Sequence, residues 1–279
     1  MSFNTQIIDK NYNPTLESLF AQIDQDYNMT TLLIQKLISD TPKNNFSEHL
    51  LKYLLVYCKE TELFLVTKEL KNNHYQAIDE MIDNNNRMRF GTLGHLFHDK
   101  SLLKGYCMFR IENFIVSIFT ILEICITDVY EGLKSDDDLK FKRYNEIEKY
   151  LSKVSAEDKE GIKKQLVNNH ISFKDKVNLI KKKLDLNKKE KKGLRVFELF
   201  MHCRNVIHNN GRYNGGDNFV YKTNKGEEII LKSNKFVGLT SNQTYIVMLD
   251  LLKACELIYS KLEGQSNPKA IDQNPKLNL

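Results

Sequence analysis

The sequence has no tryptophan, only 4 prolines and 12 glycines among 279 residues, and no apolar run long enough to span a membrane. Few prolines and glycines argue against a loop-rich β protein and against a disordered chain, since both classes are rich in these residues. The most apolar stretch, residues 114–126, covers about 13 residues and contains Glu123, whereas a membrane span needs about 20. We therefore expect a mainly helical protein without a membrane segment.

The sequence also lacks a Cys-x-x-Cys pair and a basic, apolar leader at its start. Its five cysteines are widely spaced and surrounded by apolar residues, which is typical of reduced core thiols and not of a disulfide framework. They are Cys58, Cys107, Cys125, Cys203 and Cys255. Unpaired thiols and the missing leader predict a cytoplasmic protein.

What the sequence does contain is helical periodicity, with hydrophobic residues at 41% and charged residues at 28%. The strongest signal, at residues 106–130, predicts a central core helix. The other predicted helices cover residues 14–40, a stretch starting at 47, a weaker one at 75–90, and 141–153, 157–167, 173–184, 194–209 and 243–262.

Turn and cap residues place the boundaries of these helices. Asn13-Pro14 predicts the start of the first helix, Ser47 caps the second, and Thr240 with Gln243 resembles a capping box before the last. Residues 187–193 are interpreted as a charged link. Two short alternating runs around Thr-Asn-Lys-Gly predict a β-hairpin at residues 218–232.

Two glycines within residues 89–94 interrupt the helical pattern and indicate a boundary between residues 90 and 105. We accordingly predict an N-terminal helical region of unknown role at 1–100. A helical bundle with the hairpin inserted follows at 101–263. The polar, proline-containing segment 264–279 is interpreted as a disordered tail.

Charge is distributed unevenly along the chain. Residues 1–100 contain 10 Lys and Arg against 13 Asp and Glu, so their net charge is −3, and the remaining 31 against 23 leave +8. Eight basic residues fall between Lys181 and Arg195. This cluster is either a solvated surface or a surface for phosphate groups of a nucleic acid. The second interpretation defines a nucleic-acid-binding regulator as one alternative function.

The helix predicted at 194–209 ends in Arg-Asn-Val-Ile-His-Asn-Asn-Gly, and its side chains fall on three strips at about 100° per residue. An apolar strip faces the core. A second strip, which we interpret as facing a partner subunit, ends in a cation pair, and a third faces solvent. The second strip consists of Leu194, Phe197, Met201, Arg204 and His208.

Arg204 and His208 are four residues apart and therefore lie on one face, where a single phosphate can contact both. Cleavage of an RNA phosphodiester needs a base and an acid that work near neutral pH, together with cationic donors for the charged transition state, and His and Arg provide much of that set. Asn205 and Asn209 are placed to orient the imidazole or to contact the ribose. Alternatively, Arg and His occupy this helix end only because cations suit it.

The segment RNVIHNNG (204–211), with the upstream helix FRIENFIVSIFTILEICITDVYE (109–131), resembles the HEPN superfamily of helical-bundle domains. The family marker is an Arg, a polar residue, and a His after four to six intervening residues; the interval between Arg204 and His208 is three. The resemblance covers roughly residues 105–262 and implies a helical bundle of HEPN type that forms homodimers. Many members are metal-independent endoribonucleases of toxin–antitoxin or antiphage systems.

For this chain, the resemblance implies a catalytic set of Arg204, His208 and Asn205, without a metal ion or cofactor. We expect RNA as substrate, with Asn209 and the basic cluster as binding residues, and a neutralising or regulatory protein as a further partner. The basic binding residues are Lys181, Lys182, Lys183 and Lys192.

Two alternatives remain. Some family members are non-catalytic, so the second interpretation is a dimerisation module or an RNA- or ligand-binding module. A metal site formed by His95, His98 and Asp99 is a weaker candidate, because the two histidines lack further cysteine or histidine ligands.

Overall fold

The computed structural model describes residues 15–81, 99–134, 171–208, 213, 215–233 and 239–264, with the side chains of 70–81 and His208 excepted. This part of the chain is mainly helical and contains a small antiparallel sheet, which confirms the predicted class. The elements are α1 (Leu16–Ser39), α2 (Asn45–Met81), α3 (Lys100–Leu133), α4 (Phe173–Lys183), α5 (Lys188–Gly193), α6 (Arg195–His208), β1 (Phe219–Lys222), β2 (Glu228–Leu231) and α7 (Ser241–Glu263).

Helix α1 begins directly after Thr15, whose hydroxyl oxygen accepts a hydrogen bond from the backbone N–H of Ser18 at 3.1 Å. Thr15 is therefore the N-cap, and the prediction that the helix starts at Asn13-Pro14 is wrong. Threonine, like asparagine, has a side-chain oxygen that can accept a hydrogen bond from a free N–H of the first turn. The predicted end near Asp40 is confirmed, because Asp40 is the C-cap.

Helix α2 begins two residues before the predicted cap, Ser47. The side-chain oxygen of Asn44 accepts a hydrogen bond from the backbone N–H of Ser47, and the Ser47 hydroxyl accepts one from the Asn44 N–H, both at 2.9 Å. This reciprocal pair makes Asn44 the cap. Because α2 continues to Met81, the separate helix predicted from residue 75 is part of α2 as far as the description extends.

Helix α3 is longer than predicted at both ends. Asp99 caps it, since its Oδ1 accepts hydrogen bonds from the N–H groups of Ser101 (2.8 Å) and Leu102 (3.1 Å). The helices predicted at 141–153 and 157–167 and the tail after residue 264 lie outside the described residues.

The predicted link at 187–193 is wrong, because residues 188–193 form the short helix α5. Asn187 Oδ1 accepts hydrogen bonds from the N–H groups of Lys189 and Glu190, and a Glu190 carboxylate oxygen accepts one from the Asn187 N–H at 2.8 Å. This capping box starts a helix where composition alone suggested a loop. The box predicted at Thr240 and Gln243 is confirmed by hydrogen bonds of 2.7 and 3.1 Å.

The predicted β-hairpin is also confirmed. β1 and β2 pair antiparallel, with Phe219 opposite Leu231 and Lys222 opposite Glu228. Gly226 in the turn has φ 87°, a conformation that glycine adopts without steric cost. Tyr221 is buried while Val220 is exposed, so the hairpin covers the protein with one face.

The chain forms two compact units. The first comprises residues 1–121 and 192–257, and contains α1, α2, most of α3, all of α6, the hairpin and most of α7. One of its buried clusters joins three helices through Leu19, Ile23, Phe64, Leu103 and Cys107. The aromatic ring of Phe64 stacks on that of Tyr106 with 4.7 Å between centroids, which ties α2 to α3.

The second unit comprises residues 122–191 and 258–279. Its described part contains the end of α3, α4, most of α5 and the end of α7. The ammonium of Lys176 is buried and donates a hydrogen bond of 2.8 Å to the Thr127 hydroxyl, while Lys261 and Glu190 form an ion pair of 3.1 Å. These contacts link α4 to α3 and α7 to α5.

All five cysteines are free, as predicted, and four of them are buried. Burial raises the pKa of the thiols of Cys107, Cys125 and Cys203 to about 12, because the thiolate form loses its hydration. Thiols in this state are not nucleophiles at neutral pH, which excludes these three as catalytic groups. Within the described ranges, no helix is long and apolar enough to cross a membrane.

Candidate functional site

Helix α6 presents its apolar strip to the core, as its periodicity predicted. Val196, Leu199, Phe200, Cys203 and Val206 are all buried. The predicted partner-facing strip is wrong in its first half, because Leu194 and Phe197 are fully buried within the chain itself. The buried surface of this segment is wider than the apolar strip alone predicts. These two side chains are therefore not available to a second subunit.

The other half of that strip contains Arg204, which is half-buried in the last turn of α6. Its guanidinium carbon lies 5.6 Å from the ring centroid of Phe119 on α3, within the range of a cation–π contact. Its Nη1 donates a hydrogen bond of 3.3 Å to the side-chain oxygen of Asn205, which is exposed. Arg204 therefore lies against an aromatic ring without being fully buried.

Arg195 at the other end of α6 provides a comparison. Its guanidinium faces the carboxylate of Glu198 at 3.8 Å and donates a hydrogen bond of 3.0 Å to the backbone oxygen of Val220. Arg204 forms no ion pair with any carboxylate that the structure describes. Arg195 therefore has a structural role at the hairpin, whereas Arg204 retains a positive charge available to an external anion.

His208 is the last residue of α6, one turn beyond Arg204. The structure brings the backbones of the predicted pair to the same helix end. A guanidinium can hold a phosphate, and an imidazole one turn away can exchange protons with it. Asn209, the predicted ribose contact, lies outside the described residues.

The predicted basic binding residues are divided between the two units. Lys181, Lys182 and Lys183 form the last turn of α4 in the second unit, where cations suit the negative end of the helix. Lys182 is exposed, and the other two are half-buried. Lys192 is exposed on α5 and belongs to the first unit with Arg204.

Of the weaker metal candidate, only Asp99 lies among the described residues. Both Oδ1 hydrogen bonds of Asp99 go to the first turn of α3, so this carboxylate is explained as a cap. His95 and His98 lie outside the described residues. In the part of the chain that can be described, no group of His, Cys, Asp and Glu side chains could hold a metal ion.

Sequence reasoning missed a polar centre in the first unit, around Asp26. This residue is on the buried side of α1, where its Oδ1 accepts hydrogen bonds from the Gln22 amide (2.8 Å) and from the Ser241 hydroxyl (2.7 Å). Gln22 and Asp26 occupy positions of the buried stripe between Leu19 and Leu33. Polar residues at helical spacing within an apolar stripe are the signal that could have revealed them.

A buried cation, Arg110, lies near this centre. Arg110 on α3 stacks on Tyr57, with 4.3 Å from guanidinium carbon to ring centroid, and donates hydrogen bonds to the hydroxyls of Thr61 and Tyr106. Burial raises the pKa of the Asp26 carboxyl despite the opposing charge of Arg110. The Tyr57 ring and the two hydroxyls offset part of the cost of burying this charge, while the Arg110 Nε has no hydrogen-bond partner.

The cavity beside Asp26 is small. It is lined by Gln22, Asp26, Tyr57 and Ser241 among others. Its volume of about 20 Å³ is enough for a water molecule. Sites for organic ligands usually have volumes of roughly 300–1,000 Å³. This polar centre is therefore a structural feature of the core and does not accommodate a nucleotide.

The chain was compared with protein-family models, with characterised proteins and with solved structures, and none of them matches it.

Proposed function

We propose that this protein is a metal-independent endoribonuclease of the HEPN type, which acts as a homodimer in bacterial stress response or antiphage defence. In this proposal it cleaves RNA to a cyclic phosphate and a 5′-hydroxyl. Arg204 binds the phosphate, His208 transfers protons, and Asn205 and Asn209 orient the histidine or the ribose.

The state of Arg204 is the observation that supports the proposal. Its guanidinium rests against Phe119 at the end of α6, is partly exposed, and is without an ion pair among the described residues. Arg195 on the same helix has a carboxylate partner in Glu198, whereas no described carboxylate pairs with Arg204. The positive charge of Arg204 lies one turn from a histidine at the same helix end.

The proposed reaction needs no metal ion and consumes no co-reactant. The 2′-oxygen attacks phosphorus after losing its proton to an imidazole, the P–O5′ bond breaks, and the 5′-oxygen receives a proton from an imidazolium. Arg204 stabilises the extra negative charge on the non-bridging oxygens in the transition state. In a homodimer, the His208 of each copy can take one of the two proton-transfer roles.

The test is cleavage of total RNA and transfer RNA by purified protein in EDTA. We expect the wild type to release fragments with cyclic phosphate ends, and Arg204→Ala and His208→Ala to lose at least about a hundredfold in rate. Arg195→Gln is the matched control, because it removes an arginine from the same helix without touching the proposed site. Circular dichroism of each variant checks folding.

Intact RNA with folded wild-type protein, together with equal harmlessness of wild type and His208→Ala in cells, contradicts the nuclease. If Arg204→Ala and His208→Ala then change only the melting temperature or self-association, the protein is the non-catalytic module. That outcome favours the second interpretation of the motif.

A further inference from the structure

The small cavity beside Asp26 is lined by polar side chains from three helices. Asp26 and Gln22 belong to α1, Tyr57 to α2, and Ser241 and Thr244 to the first turn of α7. All of these residues are in the first unit. The cavity is therefore built within one compact part of the chain.

Several of these side chains have hydrogen-bonding capacity that the described protein does not use. Asp26 Oδ1 accepts two hydrogen bonds, from Gln22 and Ser241, whereas its Oδ2 has no hydrogen-bond partner among the described residues. The Gln22 amide nitrogen donates to Asp26 at 2.8 Å and to Ser241 at 2.7 Å, while its oxygen accepts no hydrogen bond from a described residue. The Thr244 hydroxyl likewise has no partner in the described part of the chain.

These unused groups indicate an external partner. Asp26 is only 8% exposed and Gln22 only 6%, so bulk water does not surround either side chain. Polar groups at such positions are almost always hydrogen-bonded, either to protein or to an ordered water molecule. Both side chains line the same cavity as Thr244, so one occupant can reach all three.

The size of the cavity fits a single water molecule. Its volume is about 20 Å³, and a buried water needs roughly 10–15 Å³ together with two to four polar partners. The rest of the lining is apolar and consists of Met29, Ile111, Phe114, Ile115 and Leu239. An occupant is therefore held against the polar side of the cavity.

Charge distinguishes water from a metal cation as the occupant. Oxygen atoms alone would also suit a hard cation, but such an ion requires an ionised carboxylate. Burial raises the pKa of the Asp26 carboxyl and so favours its neutral form, and Arg110 is already the nearby positive charge. Both features oppose a second cation at this site.

We propose that one ordered water molecule binds in this cavity, with hydrogen bonds to Asp26 Oδ2, the Gln22 side-chain oxygen and the Thr244 hydroxyl. A water molecule can both donate and accept, so it serves the carboxylate as a donor and the protonated carboxyl as an acceptor. It thereby satisfies Asp26 in either protonation state and adds a link between α1 and the start of α7. This inference is independent of the nuclease proposal.

A high-resolution crystal structure of the full chain tests the site directly. We expect one density peak in the cavity, at about 2.6–3.2 Å from Asp26 Oδ2, the Gln22 oxygen and Thr244 Oγ1. A well-ordered cavity without such a peak overturns the proposal. So does a peak that is within hydrogen-bond distance of none of the three groups.

Magnetic relaxation dispersion of water oxygen-17 tests the site in solution, because it detects water molecules that stay buried in the protein. Thr244→Ile replaces the hydroxyl by a methyl group and adds a methylene, which fills the cavity with apolar atoms. We expect this variant to lose the contribution of one long-lived water relative to the wild type. Thr120→Ile is the matched control, since Thr120 is exposed on α3, and it should lose none.

Equal dispersion for the wild type and a folded Thr244→Ile contradicts the proposal, as does an equal loss in Thr120→Ile. Circular dichroism checks folding of each variant. If Thr244→Ile does not fold, Thr244→Val takes its place, because it removes the hydroxyl at nearly constant volume. Its water should then exchange faster than that of the wild type, and an unchanged exchange rate contradicts the proposal.

Melting temperatures in KCl, NaCl and choline chloride at equal ionic strength separate water from a cation. An ion bound only by the folded state raises the melting temperature as its concentration increases. We expect equal melting temperatures in the three salts. A higher value in KCl or NaCl that Asp26→Asn abolishes would assign the cavity to a cation and overturn the proposal.

Discussion

Asp26 is the residue whose environment is most unusual for its type. Its carboxyl group is buried on α1 among apolar neighbours, with Gln22 and Ser241 as hydrogen-bond donors and Arg110 as the nearby cation. Burial raises its pKa above the usual 3.8, because desolvation outweighs the hydrogen bonds and the charge of Arg110. Folding therefore favours the protonated form of this group.

The sign of the resulting pH dependence follows from linkage. Below about pH 4 the carboxyl is protonated in both the folded and unfolded states, so its contribution to stability is at its most favourable there. As pH rises towards the raised folded pKa, the unfolded state loses its proton first and stability from this group declines. We predict that Asp26→Asn, which stays neutral, removes this decline.

Urea unfolding of the wild type and of Asp26→Asn, at several pH values between about 4 and 7, measures how the free energy of unfolding depends on pH. The stability of the wild type relative to the variant should fall across this range. Asp40→Asn is the control of opposite sign, because hydrogen bonding to Lys36 lowers the pKa of exposed Asp40. A stability difference for Asp26→Asn that does not depend on pH would contradict the assignment.

At the scale of elements, the attachment of the hairpin to α7 depends on Asp250. This buried carboxylate accepts hydrogen bonds from the Tyr221 hydroxyl (2.8 Å), the Asn224 backbone N–H (3.0 Å) and the Asn224 amide (2.8 Å). Burial, followed by the hydrogen bond to Asp250, raises the pKa of Tyr221, so the phenol remains a donor. A two-stranded sheet is marginal alone, and these bonds hold it against the helix.

We predict that Asp250→Ala lowers the free energy of unfolding by about 2–4 kcal/mol, because it leaves a buried hydroxyl and backbone N–H without an acceptor. Amide hydrogen exchange in β1 and β2 should rise more than in α1. Tyr221→Phe should cost about 1–2 kcal/mol, since it removes one of the three bonds.

Glu256→Gln is the control for the charge change, because Glu256 is exposed on the same helix. It should change the unfolding free energy by less than about 0.5 kcal/mol. If Asp250→Ala is as mild as this control, the carboxylate does not hold the hairpin in place.

At the scale of the whole molecule, the two parts of the chain differ in charge, −3 for residues 1–100 and +8 for the remainder. The basic excess includes the exposed lysines of α4 and α5, among them Lys182, Lys188 and Lys191. Exposed lysines of this density attract a polyanion at long range and release its counterions on contact. RNA binding, if the proposal holds, should therefore be strongly salt-dependent.

We predict that a triple variant with Lys182, Lys188 and Lys191 changed to Glu binds single-stranded RNA more weakly. The slope of log affinity against log salt should fall by about 2, at about 0.7 for each lost phosphate contact. Fluorescence anisotropy with a labelled oligonucleotide at several salt concentrations provides the measurement. The matched control changes Lys222, Lys232 and Lys253, all exposed, to Glu and alters net charge equally. Equal slopes for both variants would assign binding to net charge and not to the α4 and α5 lysines.

The sequence by itself determined the helical class, the hairpin, the free thiols and the buried strip of α6. Local signals suffice for these features: the apolar period sets the inner face of a helix, and Thr240 with Gln243 closes a cap within four residues. The cap positions at Thr15 and Asn44 were misplaced because several nearby residues can accept the N–H groups of a first helical turn, and the helix after Asn187 was missed because its composition resembles a charged loop.

Only the tertiary structure decided which helix faces are enclosed. Leu194 and Phe197 have the same spacing whether they meet a partner or their own core, and Leu63 has the same hydrophobicity whether buried or exposed. The hydrogen bond between Gln22 and Ser241 joins residues 219 positions apart, beyond any local signal. The sequence likewise placed Arg204 on a helix face without showing its surroundings. Only the tertiary structure shows that its guanidinium lies against Phe119, and that it forms no ion pair with a described carboxylate.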